Sequence, residues 1–285
     1  MLILPVLLVL ASGITHAVWN LLTKQSTNKH LFLCLIFVPS TILLLPSTIR
    51  EIARPDLPVS VYWLLLASMA IQCGYSYFLT RSYTYGDMSQ VYPMMRGISS
   101  FLLPVISVIF LNERLSVLGW VGLLLIASGF GLTSGLAFMH NRVRIPLRVI
   151  LYTIGVGICT TSYVFVDKIN LVHFSPLALL EVSNIGFMLG LIPFIKLREV
   201  DWRKEWRDNG KLLALGSILS PGSYLLFLFA MSMSTLTYVA PMREIGTVIG
   251  TVAGIYLLKE KREFTRIVSA CIIFAGIMLV GIWGI

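Results

Sequence analysis

Apolar residues occur in long runs from one end of the chain to the other, and short polar connectors separate these runs. A helix needs roughly 20 apolar residues to cross about 30 Å of hydrocarbon. Membrane β-strands would instead show alternating hydrophobicity over about ten residues, and the sequence lacks that alternation. The pattern therefore predicts an all-α integral membrane protein with ten transmembrane helices. The predicted spans are 2–23, 31–49, 60–80, 88–111, 117–138, 147–167, 175–196, 211–233, 237–258 and 266–284.

The first span has one feature of a signal peptide, because small residues at positions 11–13 follow the apolar stretch 2–10. A signal peptide would carry a basic residue before that stretch, and none is present. The apolar character also continues to Leu22, and nine further spans follow. We therefore predict a membrane helix here.

Composition supports a chain embedded in lipid, since 57% of its residues are hydrophobic and only 12% are charged. The four cysteines lie inside predicted spans without metal-ligand spacing, which predicts neither disulfides nor a metal site. The net charge of +9 comes from loops beside the spans, so we expect no nucleic-acid partner. The sequence contains no phosphate-binding glycine loop, nucleophile elbow or zinc motif. We expect no cofactor and no enzymatic activity.

Lysine and arginine residues are distributed unequally between the two sides of the predicted bundle. One set of loops carries sixteen of them, and the opposite loops carry four. We call these sides the basic face and the lysine-poor face. The positive-inside rule places the basic face in the cytoplasm, with both termini outside. The predicted location is the cell inner membrane.

The second half of the chain repeats the first at a shift of 147 residues, which aligns Arg96 with Arg243 and Glu113 with Glu260. Between positions 90 and 132 this shift gives 10 identities in 43 positions. Five helices per copy is an odd number, so the second copy must have the opposite orientation in the membrane. We predict two inverted repeats, at 1–139 and 140–285. Inverted repeats are typical of secondary transporters, in which each half can exchange its conformation with the other.

Four charged residues stand out inside predicted spans, because a charge at the membrane centre costs on the order of 2.5–3.5 kcal/mol. They are Arg96, Glu181, Arg243 and Glu244. The two arginines would meet across the repeat axis and could grip an anion through their planar donor groups. Alternatively, the glutamates neutralise them in a structural network or gate. A proline lies just before each arginine and could bend the helix there.

The first span carries a polar stripe at four-residue spacing, from Ser12 through His16 and Asn20 to Lys24, beside Trp19. The stripe could line a solute path or hydrogen-bond neighbouring helices. A histidine could also bind a coupling proton. Tyrosines next to the arginines could bound a ligand or pack in the core. The predicted substrate-binding residues are Arg96, Arg243, Glu244, Tyr92, His16, Trp19, Asn20, Glu181 and Tyr163.

Three glycines at four-residue spacing in the ninth span, Gly246, Gly250 and Gly254, form a groove that would admit another helix. We expect the eighth or the tenth helix in that groove.

At these residues the sequence resembles the drug/metabolite transporter superfamily, specifically its bacterial EamA type. The matching motifs are His16-Ala17-Val18-Trp19-Asn20, Tyr85 to Pro93 with Arg96-Gly97, Glu113-Arg114-Leu115-Ser116, Ala240-Pro241-Met242-Arg243-Glu244 and Leu258-Lys259-Glu260. The resemblance implies a secondary carrier, often a metabolite exporter, with a central cavity. The branch is similar to proteins associated with phosphonate utilization. Many members place both termini in the cytoplasm, whereas the charge count here places them outside.

The sequence thus predicts a secondary active transporter of a small polar or anionic metabolite. Export is the expected direction. Its expected partners are that solute, membrane lipid and a coupling proton, and a homodimer is left open. An exporter of cationic or lipophilic drugs would use Glu181 or Glu244 as its acidic group. A membrane assembly or lipid-handling subunit without solute flux is the third alternative.

Overall fold

The computed structural model describes residues 3–25, 29–86, 88–133, 146–195, 202–249 and 264–284, and within these ranges it is helical with no strands. The first five helices are α1 (Ile3–Gln25), α2 (Lys29–Leu35), α3 (Val38–Ile52), α4 (Val59–Tyr85) and α5 (Met88–Phe110). The others are α6 (Val117–Thr133), α7 (Leu147–Asn170), α8 (Pro176–Leu191), α9 (Trp202–Met233), α10 (Leu236–Met242) and α11 (Phe264–Trp283). A 3₁₀ turn, Ile192–Phe194, follows α8.

These helices confirm the predicted all-α membrane fold. The second predicted span is α2 and α3 joined by a turn at residues 36 and 37, and the ninth is α10 followed by helical residues 245–249. Six described helical segments are long and apolar enough to cross a membrane, among them α2 with α3 and α8 with the 3₁₀ turn, and three shorter segments within α5, α6 and α11 are also apolar. The rest of the ninth span, residues 250–258, and the proposed repeat boundary at 139 and 140 lie outside the described residues.

Helix α9 begins earlier than the sequence pattern predicted. The predicted span starts at residue 211, whereas the helix starts at Trp202. Its first turns carry exposed polar residues such as Asp208 and exposed Arg207. Apolar periodicity detects only the lipid-embedded part of a helix, so it does not predict this polar extension on the basic face.

The outer surface of the bundle is apolar, as a lipid-facing surface requires. Leu43 is 77% exposed and Trp63 is 68% exposed, both within helices that the sequence predicts to span the membrane. The interior instead contains buried polar side chains such as Gln72, Asp167 and Asn184. This distribution is the reverse of that in a water-soluble protein, and it follows from the solvent being hydrocarbon.

Helix packing follows the internal repeat. Helix α1 packs on α9. Their repeat equivalents, α7 for α1 and α4 for α9, pack on each other in the same way. At the first of these contacts, the Ser12 hydroxyl donates to the Ser223 carbonyl at 2.7 Å and the Ser223 hydroxyl donates to the Ser12 carbonyl at 3.1 Å. Each half therefore contributes one helix to the other, and the two inverted copies interlock.

Helices α6 and α11 are themselves repeat equivalents, and they cross at glycines. A Cβ at Gly276 would lie 2.6 Å from the Gly122 carbonyl oxygen, and one at Gly122 would lie 2.8 Å from the Gly276 carbonyl oxygen. A Cβ at Gly129 would likewise lie 3.0 Å from the Ser269 carbonyl oxygen. Since Ser269 and Gly129 are the repeat equivalents of Gly122 and Gly276, the crossing has the two-fold character of the repeat.

At Gly246, the member of the predicted glycine groove that the structure describes, the close neighbour is α1 rather than the expected eighth or tenth helix. A Cβ at Gly246 would lie 2.3 Å from the Gly13 carbonyl oxygen. The first helix fills this position because Gly13 also lacks a side chain, whereas the prediction considered only sequence neighbours of the ninth span. Gly250 and Gly254 lie outside the described residues.

The crossing of α6 and α11 predicts a matched pair of glycine variants. We expect Gly276→Ala to destabilise the fold by about 1–3 kcal/mol, because the added methyl group meets backbone that cannot move aside. Gly131→Ala in α6 is the control, since a Cβ there has no heavy atom within 4 Å. Thermal unfolding in detergent compares them. Equal midpoints for both variants would contradict the close crossing.

Candidate functional site

Two adjoining cavities lie between the halves of the protein. The first cavity has a volume of about 40 Å³, and the second has a volume of about 70 Å³. A water molecule needs about 10–15 Å³ of such a volume. Together the two cavities would therefore hold several waters or a small solute. Both cavities are lined by His16, Trp19, Tyr75, Tyr163 and Arg243.

The first cavity reaches toward the basic face. Its lining includes Thr23 near the end of α1, Leu33 in α2, Tyr83 near the end of α4 and Tyr92 in the first turns of α5. All these helix ends belong to the side with the sixteen basic loop residues. The second cavity is lined by middle parts of α8 and α9, including Ser183, Asn184 and Ser220.

Arg96 and Glu244 form an ion pair that joins the two halves. Arg96 Nε donates to Glu244 Oε2 at 3.1 Å, and a second guanidinium nitrogen donates to Oε1. The side chains are 12% and 3% exposed, so water screens the pair little. The Thr247 hydroxyl also donates to Glu244 Oε2, at 3.1 Å. The two-pronged geometry makes this a strong connection between α5 and the segment after α10.

Arg243 lines the same cavity as Arg96, as the repeat predicted, but its surroundings differ. Its guanidinium carbon lies 4.4 Å from the Phe227 ring centroid, and one of its nitrogens donates to the Ser223 hydroxyl at 3.4 Å. The side chain is buried and its Nε has no hydrogen-bond partner. Within the described part of the chain, no carboxylate forms an ion pair with it.

A break in the ninth span places Arg243. Helix α10 ends at Met242, residues 243 and 244 form a turn, and helical structure resumes at 245. The Arg243 carbonyl lies against α1, since a Cβ on Gly13 would be 2.8 Å from its oxygen. Pro241 immediately precedes the break, as expected for a residue that disrupts a helix. Helix α5 runs unbroken through the equivalent region of the first half.

The polar stripe of α1 divides between packing and cavity. Ser12 is an interhelical contact through its bonds with Ser223. His16, Trp19 and Asn20 line the first cavity. Trp19 Nε1 donates to His16 Nδ1 at 3.2 Å, and the Asn20 amide donates to the His16 carbonyl at 2.7 Å. The Lys24 side chain lies outside the described part of the structure.

The predicted tyrosines also reach the cavities. Tyr92 lines the first cavity, and Tyr163 lines both. The Tyr163 ring packs edge-on against Tyr75 and Tyr224, with centroids 5.6 Å and 5.8 Å away. These rings form an aromatic wall in the centre of the bundle.

Glu181 lies apart from the arginines. Its side chain is fully buried, and the Asn184 amide donates to its Oε2 at 3.4 Å. It lines neither cavity, and in the described residues no ion pair joins it to Arg96 or Arg243. Among the described residues, Arg96 is therefore paired with Glu244, whereas Glu181 lies outside both cavities and takes no part in an ion-pair network.

Several lining residues were not selected from the sequence. Gln72, Tyr75 and Asn184 line the cavities, and Tyr224 separates the second cavity from buried Asp167. The internal repeat did pair Tyr224 with Tyr77, but Tyr77 is 37% exposed and packs on Phe78 and Phe194 instead. Among the described residues, no group of three or more metal-ligand side chains occurs.

Hydrogen bonds join the two halves at the lysine-poor face. Glu113 accepts from the backbone amides of Leu236 and Thr237, at 2.8 Å and 2.7 Å, at the start of α10. Glu51 accepts from the Ser175 hydroxyl at 2.7 Å and from the Ser175 backbone amide, at the start of α8. We call these two contacts the latch. The cavities thus approach one face of the membrane while the latch joins the helices at the other.

The different surroundings of the two arginines predict opposite effects on stability. We expect Arg96→Met to destabilise the fold by about 3–5 kcal/mol, because it leaves Glu244 buried and unpaired. Arg243→Met removes a buried charge that lacks a carboxylate partner, and should not destabilise the fold. Denaturant titration in detergent measures both, with exposed Arg207→Met as the control. Equal losses for the two variants would contradict this assignment.

Comparison with known proteins agrees with the two-copy architecture. The model of the EamA-like transporter family matches residues 3–135 and again 147–282. One protein crystal structure superposes with a TM-score of 0.74 at 12% identity, covering 98% of each chain, which shows a shared fold. No curated protein matches the sequence. Because the family matches cover nearly the whole described chain, this multi-pass membrane protein belongs to the EamA-like transporter family of the drug/metabolite transporter superfamily.

Proposed function

We propose that the chain is a secondary active transporter that carries a small anionic metabolite across the cell inner membrane by alternating access. The observation that carries this proposal is Arg243, a buried guanidinium that lines both cavities without a carboxylate partner among the described residues. An uncompensated charge inside a membrane protein is costly, and a bound anion would offset that cost.

Arg96 has a different part in the proposed site. Its fork is already bound to Glu244 on both oxygens, so it serves to join the halves rather than to bind the solute alone. Arg243 keeps an unbonded Nε and only a 3.4 Å bond to Ser223. We assign Arg243 as the principal anion ligand, with the Asn20 amide as a neutral donor in the first cavity.

The aromatic wall and the small cavity volume favour a compact solute. Tyr75 and Tyr163 bound the space between the two cavities, so a ligand near Arg243 would contact their rings. A carboxylate, phosphate or phosphonate group matches the planar donors of a guanidinium. A cationic drug is disfavoured because Glu244 is engaged by Arg96 and Glu181 lines neither cavity.

The arrangement of cavities and latch supports alternating access. The latch joins the halves at the lysine-poor face while the first cavity extends toward the basic face, which the positive-inside rule assigns to the cytoplasm with both termini outside. A carrier needs a second conformation in which the latch opens and the basic face closes. The inverted repeat supplies such a conformation, because each half can adopt the arrangement of the other.

The anion site predicts the effect of Arg243→Ala on transport. Purified protein in liposomes is assayed by counterflow with a panel of organic acids, amino acids, phosphonates and cationic dyes. A hydrogen bond to a charged group is worth about 1.5–3 kcal/mol, so we expect flux of the anionic solute to fall about 10- to 100-fold. Arg243→Lys should give an intermediate rate of flux, because lysine keeps the positive charge but lacks the paired, planar donors of the guanidinium.

Exposed Arg207 is the matched control, and Arg207→Ala should transport like the unmodified chain. Unchanged anion counterflow in Arg243→Ala would remove Arg243 from the site. Flux of cationic dyes but of no anion would favour the drug-exporter alternative. Absence of counterflow for every solute, in protein that remains folded, would overturn the proposed transport function.

The latch predicts a change in accessibility from the lysine-poor face. A single cysteine replaces Ser220 at the second cavity, with the native cysteines replaced by serine. Glu113→Gln weakens the charge-assisted bonds to the start of α10, so we expect labelling by a membrane-impermeant maleimide from that face to be about tenfold faster. Asp56→Asn, an exposed acid on the same face, is the control. Equal labelling rates would mean that Glu113 does not hold this face closed.

A further inference from the structure

Asp167 is a buried carboxylate that the anion site does not use. It lies near the end of α7, and its side chain is fully buried. Three hydroxyl groups from three other helices surround it. Ser68 of α4 donates to Oδ1 at 2.5 Å, while Tyr224 of α9 and Ser183 of α8 donate to Oδ2 at 2.5 Å and 3.4 Å.

The charged and titratable groups around Asp167 are engaged elsewhere. Lys168, the next residue, donates to the Met231 and Ser234 carbonyls at 2.5 Å and 2.8 Å. Glu181, on the same helix as Ser183, contacts Asn184. Arg243 donates to the Ser223 hydroxyl. In the described ranges, Asp167 has no ion pair with lysine, arginine or histidine.

The carboxylate is connected to the cavity through its hydroxyl partners. Tyr224 and Ser183 both line the second cavity. The guanidinium carbon of Arg243 lies 5.9 Å from the Tyr224 ring centroid, and the Tyr163 ring lies 5.8 Å from it. A single tyrosine thus separates the buried acid from the proposed anion ligand. Buried acids placed next to a solute pathway are the usual proton carriers of membrane transporters.

We propose that Asp167 binds the proton that couples transport to a pH gradient, with Tyr224 connecting it to the cavity. This inference rests on the proposed function. Direct bonds from the three hydroxyls occupy the carboxylate oxygens, an arrangement that suits a proton better than a metal ion, which would require several oxygen ligands around itself.

Proton binding would change the hydrogen bonds of Tyr224 without breaking any other bond. A hydronium ion in the cavity gives a proton to the Tyr224 hydroxyl oxygen and is left as water, while the original tyrosine hydrogen moves to Asp167 Oδ2. The neutral acid then donates to the Tyr224 oxygen. The tyrosine hydroxyl can act as donor or acceptor, so its new hydrogen points toward the cavity. The cavity gains a donor beside Arg243, and the carboxylate loses its negative charge. Both changes favour an anion.

Because binding linkage is reciprocal, a bound anion also favours the proton. Proton and anion would therefore move in the same direction. A more acidic exterior would then drive uptake of the anion. This direction of transport differs from the export expected from the family resemblance.

His16 is the residue that the sequence suggested for proton binding, and its surroundings argue against that role. Its Nδ1 accepts a hydrogen bond from Trp19, which a doubly protonated imidazole could not do. It also lines the first cavity together with Arg96 and Arg243, so a third positive charge there would be repelled.

The test separates coupling from transport. Liposomes containing Asp167→Asn are assayed by counterflow at equal pH, and by accumulation with the exterior one pH unit more acidic than the interior. Asparagine has the same shape and can still pair with Ser68 and Tyr224. Because asparagine donates to Tyr224 as the protonated acid would, we expect counterflow to persist and to lose its dependence on pH, while accumulation driven by the pH gradient is lost. Asp208→Asn, the same change at an exposed acid, should keep both.

Two additional variants keep the proposal falsifiable if Asp167→Asn does not fold. Ser68→Ala removes one donor to the ionised carboxylate, which should move the midpoint of the pH dependence of accumulation to higher pH by about one unit. Glu181→Gln should leave that midpoint unchanged.

Several results would overturn the assignment of Asp167. These are accumulation retained in Asp167→Asn, loss of accumulation in Glu181→Gln instead, accumulation driven by sodium rather than by pH, or accumulation only with an acidic interior. Absence of counterflow in the unmodified chain would instead refute the proposed function itself.

Discussion

The requirement that charges inside a membrane protein be compensated determines the organisation of this site. The duplicated chain places one arginine in each half at equivalent positions, but a glutamate follows only the second, since Gly97 occupies the equivalent position in the first half. That glutamate binds Arg96 of the opposite half rather than its own neighbour. One ion pair therefore joins the two halves, and Arg243 has no carboxylate partner within the described ranges.

The same compensation rule explains which buried groups are structural and which are available. Ser12 and Ser223 bind each other's backbone across the interface of α1 and α9. Ser223 also receives the weak bond from Arg243. The proposed anion site is therefore built directly on an interhelical contact, so its position depends on how the two halves pack. A change in the relative position of the halves would alter the site, as a carrier mechanism requires.

Much of the architecture could be predicted because lipid imposes a simple rule on helix length and polarity. The ten spans, the inverted repeat and the proximity of the two arginines follow from apolar runs and a shift of 147 residues. Contacts that depend on helix rotation could not be derived. Glu181 lies inside a predicted span like Glu244, yet its position on α8 directs it away from the cavities. The sequence places Asp167 with Tyr163 in a weak polar stripe on the sixth span, but its hydrogen bonds to three other helices depend on helix packing and could not be derived.

The glycine crossing of α6 and α11 has a consequence for motion. The repeat operation maps this contact onto itself, since it exchanges Gly122 with Ser269 and Gly276 with Gly129. If the halves swap conformations during a cycle, a contact of this kind has the same geometry at both end points. Neither helix contributes a residue to the described cavity walls. The α6–α11 crossing can therefore stay fixed while the other helices tilt around it.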